Sequence, residues 1–303
     1  MNLLSIIWNP DPIWFHIGSV SFRYYSILYV AGLVAAYFII NKLVMREGKP
    51  RDFIDKFTWF IIIGLIIGAR VGHCLFYEPG YYLHHIAEML LPIKQMADGS
   101  WKFIGYQGLA SHGGAIGILI GLYLFCRRYK VDYLWMADRL VMPVPLVGVF
   151  IRFGNFMNSE IIGRPTQSDW GIVFQRVDML PRHPSQLYEA ICYLIIFGVV
   201  LWYYHKHYPN LLNGKIFGLF LILVFTSRFI IEFGKEVQEE FEEAMTLDMG
   251  QLLSLPFIAL GVWLFFFRKP KADTKPASDT NKPSAKKCKR NLKRQCCSIW
   301  DSC

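Results

Sequence analysis

Long apolar runs broken by short polar stretches dominate this chain, and their length is that of a bilayer crossing. About 20 apolar residues, each rising 1.5 Å in a helix, cover the hydrocarbon. Such runs occupy 26–43, 57–76, 103–126, 133–150, 187–204, 216–233 and 251–267. The pattern predicts an all-α, polytopic membrane protein with seven transmembrane helices. The fourth run is the least regular, since it carries Asp138, Arg139, Pro143 and Pro145.

Composition agrees with the pattern: 54% of the 303 residues are hydrophobic, too many for a typical soluble domain. Charge then orients the runs, because basic residues favour the cytoplasmic side. Lys42, Arg46, Lys49, Arg51 and Lys56 follow the first run; Arg127, Arg128 and Lys130 follow the third. Lys206 and Lys215 follow the fifth, and Arg268, Lys269 and Lys271 the seventh. The stretch after the sixth is acidic, with Glu236, Glu239, Glu240, Glu242 and Glu243. An outside N-terminus and an inside C-terminus follow, with outer-face loops at about 77–102 and 152–186. The loop after the fourth run departs from the rule, and residues 1–12 lack the basic start of a secretory leader.

Residues 1–267 read as the membrane domain and 268–303 as a basic, disordered cytoplasmic tail. The tail holds eleven basic residues against three acidic, nearly all of the chain's formal +9. The positive balance therefore describes the tail and gives no reason to expect a nucleic-acid partner. Cys74, Cys126 and Cys192 fall in apolar runs as small fillers. Cys288, Cys296, Cys297 and Cys303 lack paired zinc-ligand spacing. No metal and no cofactor is expected.

The chemistry concentrates where the fourth run ends, in I-R-F-G-N-F-M-N-S-E-I-I-G-R at 151–164. Polar groups at the hydrocarbon boundary are costly without partners or a task. A guanidinium presents a fork matched to phosphate oxygens, and asparagine both donates and accepts. Depth along the runs brings other polar groups to the same outer slab. These are Arg23, Tyr24 and Tyr25, then Arg70 and His73, His112 at about 10–14 Å below the outer end of its run, and Arg228 with Glu232. Plainer readings stand beside this one. Arg23 serves equally as a snorkelling anchor, Tyr24 and Tyr25 as an aromatic belt, and His73 as a packing histidine. Arg228 and Glu232 at i, i+4 also suit an internal ion pair. Asp138 with Arg139 reads as a structural pair. R-H-P-S-Q-L-Y-E at 182–189 reads as ordinary helix-start chemistry. His112 precedes Gly113 and Gly114, and such small residues let a helix or a ligand approach closely.

Taken together, R-F-G-N-F-M-N-S-E-I-I-G-R, S-H-G-G, R-H-P-S-Q-L-Y-E, R-F-I-I-E-F and M-G-Q-L-L-S-L-P resemble the prolipoprotein diacylglyceryl transferase family over about 14–267. The resemblance implies a multi-pass enzyme of the bacterial cytoplasmic membrane with its site toward the periplasmic leaflet. It would move the diacylglyceryl group of phosphatidylglycerol onto the lipobox cysteine of a prolipoprotein. A thioether forms and glycerol 1-phosphate leaves. The resemblance puts the lipid-binding arginine at Arg152, a second essential arginine at Arg228, the motif histidine at His112 and an important tyrosine at Tyr25. Asn155, Glu160 and Gly163 match further required positions, and Gly113 and Gly114 join the expected substrate contacts. One departure is Val224, which stands where relatives carry a tyrosine. The chemistry is consistent: a thiol attacks as thiolate, and histidine is a suitable base near neutral pH. A lipid or metabolite transporter is the rival class, but no internal repeat relates the two halves. A pure scaffold leaves the charged slab unexplained.

Overall fold

The computed structural model describes residues 6–18, 20–82, 84–91, 93–96, 99–103, 108, 110–235 and 247–269. The chain divides into two compact units, Met1–Arg268 and Lys269–Cys303. The tail expected at 268–303 lies, after Lys269, outside the described residues, as do the acidic positions 236–243.

The first unit is built from helices. Long ones are α1 (Tyr24–Arg46), α2 (Arg51–Tyr77), α5 (Ser111–Tyr129), α8 (Ser185–His207), α9 (Lys215–Glu232) and α10 (Met249–Val262), which a π-helical turn extends through Trp263–Phe267. Between α5 and α8 lie α6 (Tyr133–Val141) and α7 (Val144–Asn158), parted at Met142 and Pro143. Pro143 lacks the amide hydrogen that would continue the ladder, so the fourth run is one apolar stretch with a break in it. Five stretches are long and apolar enough to cross a membrane: Tyr24–Arg46, Arg51–Tyr77, Tyr133–Asn158, Ser185–His207 and Met249–Phe267. Helices α5 and α9, of 19 and 18 residues, pack along them; α9 carries Lys215, Arg228 and Glu232.

Two of the expected boundaries move. The third helix starts at Ser111 and not at 103, because Trp101–Phe103 is strand β5, paired with β4 (Ile93–Gln95). Gly108, with φ +77°, lies between strand and helix. His112 is therefore in the first helical turn, not some turns down a span. The stretch 152–186 is not a plain loop either, since Arg152 to Asn158 is helical. Beyond it, β6 (Ile172–Phe174) pairs with β7 (Pro181–Arg182) and, in parallel, with β1 (Ile6–Trp8). Another hairpin, β2 (Ile13–Ile17) with β3 (Val20–Arg23), leads directly into α1. Two short helices, α3 (Pro79–Tyr82) and α4 (Ile86–Leu90), follow α2.

Packing explains the helix pairs. Gly64, Gly68 and Gly72 of α2 lie against Gly113, Gly117 and Gly121 of α5. A Cβ on Gly68 would come within 2.7 Å of the Gly117 Cα, and one on Gly72 within 2.6 Å of the Gly113 Cα. Without a solvent-driven hydrophobic force in lipid, such close backbone contact is a main source of helix association. At the other end, Asp138 accepts from the amides of Gly214 at 2.6 Å and Phe217 at 2.8 Å, capping α9 from a neighbouring helix. Arg139 grips Glu47 through Nη2 at 2.7 Å and Nε at 3.1 Å. The same carboxylate accepts from Trp135 Nε1 and Tyr204 Oη, each at 2.8 Å. The expected pair of Asp138 with Arg139 is thus a secondary contact at 3.7 Å. Each residue fastens a different helix.

Candidate functional site

Arg152, Asn155 and Asn158 occupy the last two turns of α7 at spacings that place them on neighbouring faces. The helix then stops sharply. Ser159 and Ile161 both have φ +56°, in the left-handed region that β-branched side chains rarely enter. Two residues of α8 hold this turn: Ser185 Oγ donates to the Ile161 carbonyl at 2.7 Å, and Gln186 Nε2 to the Glu160 carbonyl at 2.6 Å. Ser185 and Gln186 therefore do more than begin a helix. The turn swings Glu160 back over α7, where Asn155 Nδ2 and Asn158 Nδ2 each donate to its carboxylate at 3.2 Å. Arg152 Nη1 in turn donates to Asn155 Oδ1 at 3.3 Å. Tyr25, near the start of α1, rests its ring on Gly154, where a Cβ would lie 2.7 Å from the Tyr25 Cδ2. Its hydroxyl senses both Glu160 and Arg152 electrostatically.

Gly163 continues the network. Its amide donates to the His183 carbonyl at 2.9 Å, and a Cβ there would press on that residue at 2.7 Å. Arg164 then reaches across to the chain after α9, with its amide to Gly234 O at 3.0 Å and Nε to Lys235 O at 2.8 Å. That docking brings Lys235 Nζ to 2.6 Å from Glu189 and 3.1 Å from Glu232. Outside the spans, Arg182 binds Asp178 at 2.5 Å and donates to Gly163 O at 3.3 Å. The hydrogen bond from Arg182 holds the Asp178 carboxyl below its ordinary value of 3.8.

The centre of the arrangement is Glu189, one turn into α8 and 1% exposed. It forms ion pairs with Arg152 and with Lys235. Tyr193, one helical turn further along α8, donates its hydroxyl to the same carboxylate at 3.2 Å. Arg228 of α9 is an electrostatic neighbour of Tyr193. Its guanidinium forms no ion pair or hydrogen bond with another described residue, and Glu232 is engaged by Lys235 instead.

The sequence-expected residues divide accordingly. Arg152, Asn155, Glu160 and Tyr25 share one network, Gly163 links it to the chain after α9, and Arg228 borders it. His112 is exposed in the first turn of α5, and its side chain bonds to no other described residue. Gly113 and Gly114, expected at the substrate, are turned into α2, where Gly114 lies against Leu65 and Ala69. Arg70 donates to the carbonyls of Glu88 and Met89 in α4, and His73 stacks on Tyr77 at 5.2 Å. Sequence reasoning missed Tyr193 and Lys235 and took Glu189 for a helix-start residue. Its signal was a carboxylate inside an apolar run with no cation one turn away on its own helix.

A bundle of long apolar helices in which two cations and a phenol meet a buried carboxylate defines a polytopic membrane protein. Known proteins match closely. Residues 12–267 fit the family model described as prolipoprotein diacylglyceryl transferase. A Bacteroides fragilis protein named phosphatidylglycerol–prolipoprotein diacylglyceryl transferase is 46% identical over 273 residues, covering 90% of this chain and 99% of its own. Proteins of the same name from Tolumonas auensis and Rickettsia felis are 44% and 36% identical. They cover 86% and 87% of this chain, and 96% and 98% of their own length. The chain belongs to the prolipoprotein diacylglyceryl transferase family, and it is an enzyme of the transferase class.

Proposed function

We propose that this enzyme transfers the diacylglyceryl group of phosphatidylglycerol to the lipobox cysteine thiol of prolipoproteins. The observation that carries this reading is Arg228. Its guanidinium has no carboxylate partner among the described residues, yet it stands beside the network of Arg152, Tyr193 and Glu189. A cation at membrane depth is costly without a counter-charge, and the phosphate of an anionic lipid is one that its guanidinium fits. Arg152 and Arg228 take the phosphate from two helices, while Tyr25, Asn155, Glu160 and Gly163 shape the headgroup end.

In the reaction the cysteine sulfur bonds to the glyceryl carbon as the carbon–oxygen bond to phosphate breaks. The electron pair leaves with glycerol 1-phosphate, and the thiol proton passes to a base, for which His112 is the candidate. Charge grows on the departing phosphate, and the two guanidinium groups offset it where low dielectric makes such contacts strongest. The proposal includes seven spans, counting α5 and α9, with the N-terminus outside and the site in the periplasmic leaflet of the cytoplasmic membrane. The first unit is the catalytic domain, and the tail from 268 is a basic cytoplasmic appendage.

Radiolabelled phosphatidylglycerol incubated with the purified protein and a lipobox peptide tests this. A labelled thioether product is expected, and an unlabelled peptide at full conversion of a reference enzyme would overturn the reading. His112→Gln should slow transfer by about 10²–10⁴-fold. Wild-type rates with an unchanged pH profile would remove it as the base.

A further inference from the structure

Tyr193 has no part in the scheme above, although no other phenol among the described residues touches the Glu189 carboxylate. It lies inside α8 and is 8% exposed. A phenol in an apolar span is unfavourable unless its hydroxyl is bonded. Here the hydroxyl donates to Glu189 Oε2, the oxygen that also receives the Arg152 Nε. The Arg152 guanidinium lies beside that hydroxyl as well.

The ring has a fitted place. Gly148 is one helical turn before Arg152 on α7, and Glu189 is one turn before Tyr193 on α8. The crossing of these helices therefore sets Arg152 on Glu189 and Gly148 under Tyr193. A Cβ at 148 would stand 2.8 Å from the ring's Cδ2 and 3.2 Å from Cε2, so the glycine is what lets the ring pack against α7. Val224, one turn before Arg228 on α9, borders the same apolar cluster and contributes no polar group. The hydroxyl is thus bonded to the Glu189 carboxylate that also holds Arg152, with Arg228 an electrostatic neighbour.

We infer that Tyr193 is a positioning residue for the lipid donor: its hydroxyl fixes the Glu189 carboxylate, and with it the Arg152 guanidinium, so that the remaining N–H groups of Arg152 face the phosphate. Arg152 has five donors and the ion pair uses only part of the fork. Without the phenol the carboxylate turns, and Arg152 follows it away from the lipid. This inference rests on Arg152 being the headgroup ligand.

Tyr193→Phe tests it, because phenylalanine keeps the ring against Gly148 and removes only the hydroxyl. Two measurements on the full-length protein in detergent are needed. One is steady-state transfer with phosphatidylglycerol and a lipobox peptide varied separately. The other is the melting-temperature rise on adding phosphatidylglycerol to phosphatidylcholine micelles. The expected result is a loss of about tenfold or more in kcat/KM for the lipid, an unchanged KM for the peptide, and a smaller lipid-induced rise. A variant with wild-type lipid parameters and a wild-type rise would overturn the inference. So would equal losses on both substrates with a lowered melting temperature before lipid is added, since that marks a packing role. If the wild-type protein makes no thioether but its lipid-induced rise still depends on the Tyr193 hydroxyl, positioning stands and the transferase reading falls.

Discussion

Lys235, just past the end of α9, and Glu189, inside α8, lie 2.6 Å apart and are both buried. The contact closes a chain of charges from α7 through α8 to α9, since Glu189 also holds Arg152 and Lys235 also holds Glu232. One carboxylate between two cations thus ties three helices together.

Removing the shared carboxylate should therefore cost stability as well as activity. Glu189→Leu leaves Arg152 without its carboxylate and Lys235 with Glu232 alone. Breaking a buried ion pair on one side typically costs about 3–5 kcal/mol. A clearly lower melting midpoint in detergent is expected; an unchanged one would mean the two cations find other partners.

Arg228 predicts the opposite balance. It has no ion-pair partner among the described residues, so Arg228→Gln should leave the melting midpoint near that of the wild type. Transfer should fall by about 10²–10³-fold, which is the effect of losing one preorganised contact to developing charge. Arg152→Gln should lose both, because Glu189 then loses one of its two cations. Equal stability losses in the two variants would contradict this division.

Glycine positions separate packing from propensity. A Cβ on Gly117 would come within 2.8 Å of the Gly64 carbonyl carbon and 2.9 Å of the Gly68 Cα, both backbone atoms. Gly117→Ala should then destabilise by about 1–3 kcal/mol through overpacking. Gly198, inside α8, has nothing within 4 Å of its would-be Cβ. Gly198→Ala should be neutral or stabilising by about 0.5–1 kcal/mol. Thermal melts of the two single variants would show the contrast, and a stable Gly117→Ala protein would refute the close contact of α2 with α5.

Acid should loosen the segment between α7 and α8 through Asp178. Its folded-state pKa lies below the ordinary 3.8 because Arg182 donates to the carboxylate. A depressed carboxylate contributes stability that is complete above its unfolded value and disappears as pH falls through the folded one. Hydrogen exchange of 163–182, corrected for intrinsic rates, should stay flat from neutral pH down to about 5 and accelerate only below the normal carboxylate range. Asp178→Asn should abolish the acid-induced step. If the step persists in that variant, its origin is another group.

How much of the site could be read in advance depended on how each residue is brought there. Arg152, Asn155 and Glu160 are close in sequence and sit at the end of an apolar run, so depth and side-chain chemistry sufficed to single them out. Glu189 was hidden by its setting: after Pro184 and Ser185 it looks like a first-turn carboxylate, and only the crossing with α7 shows it paired with Arg152. Arg228 and Glu232 at i, i+4 read as partners, yet the turn after α9 gives Glu232 to Lys235. His112 was placed too deep because apolar residues from 103 onward looked helical, whereas 101–103 pairs as a strand.

Local physics thus determined the class of this molecule. Apolar runs of bilayer length and their basic flanks follow from composition and period, and these need no partner segment to be recognised. Which cation meets which carboxylate depends on helix crossings, on glycines that admit a neighbour, and on a turn held at positive φ by side chains of α8. Those contacts join residues tens of positions apart, as with Glu47 and Arg139 or Glu189 and Lys235. An ion pair forms wherever the packed backbones bring opposite charges together, and spacing along one helix does not contain that information.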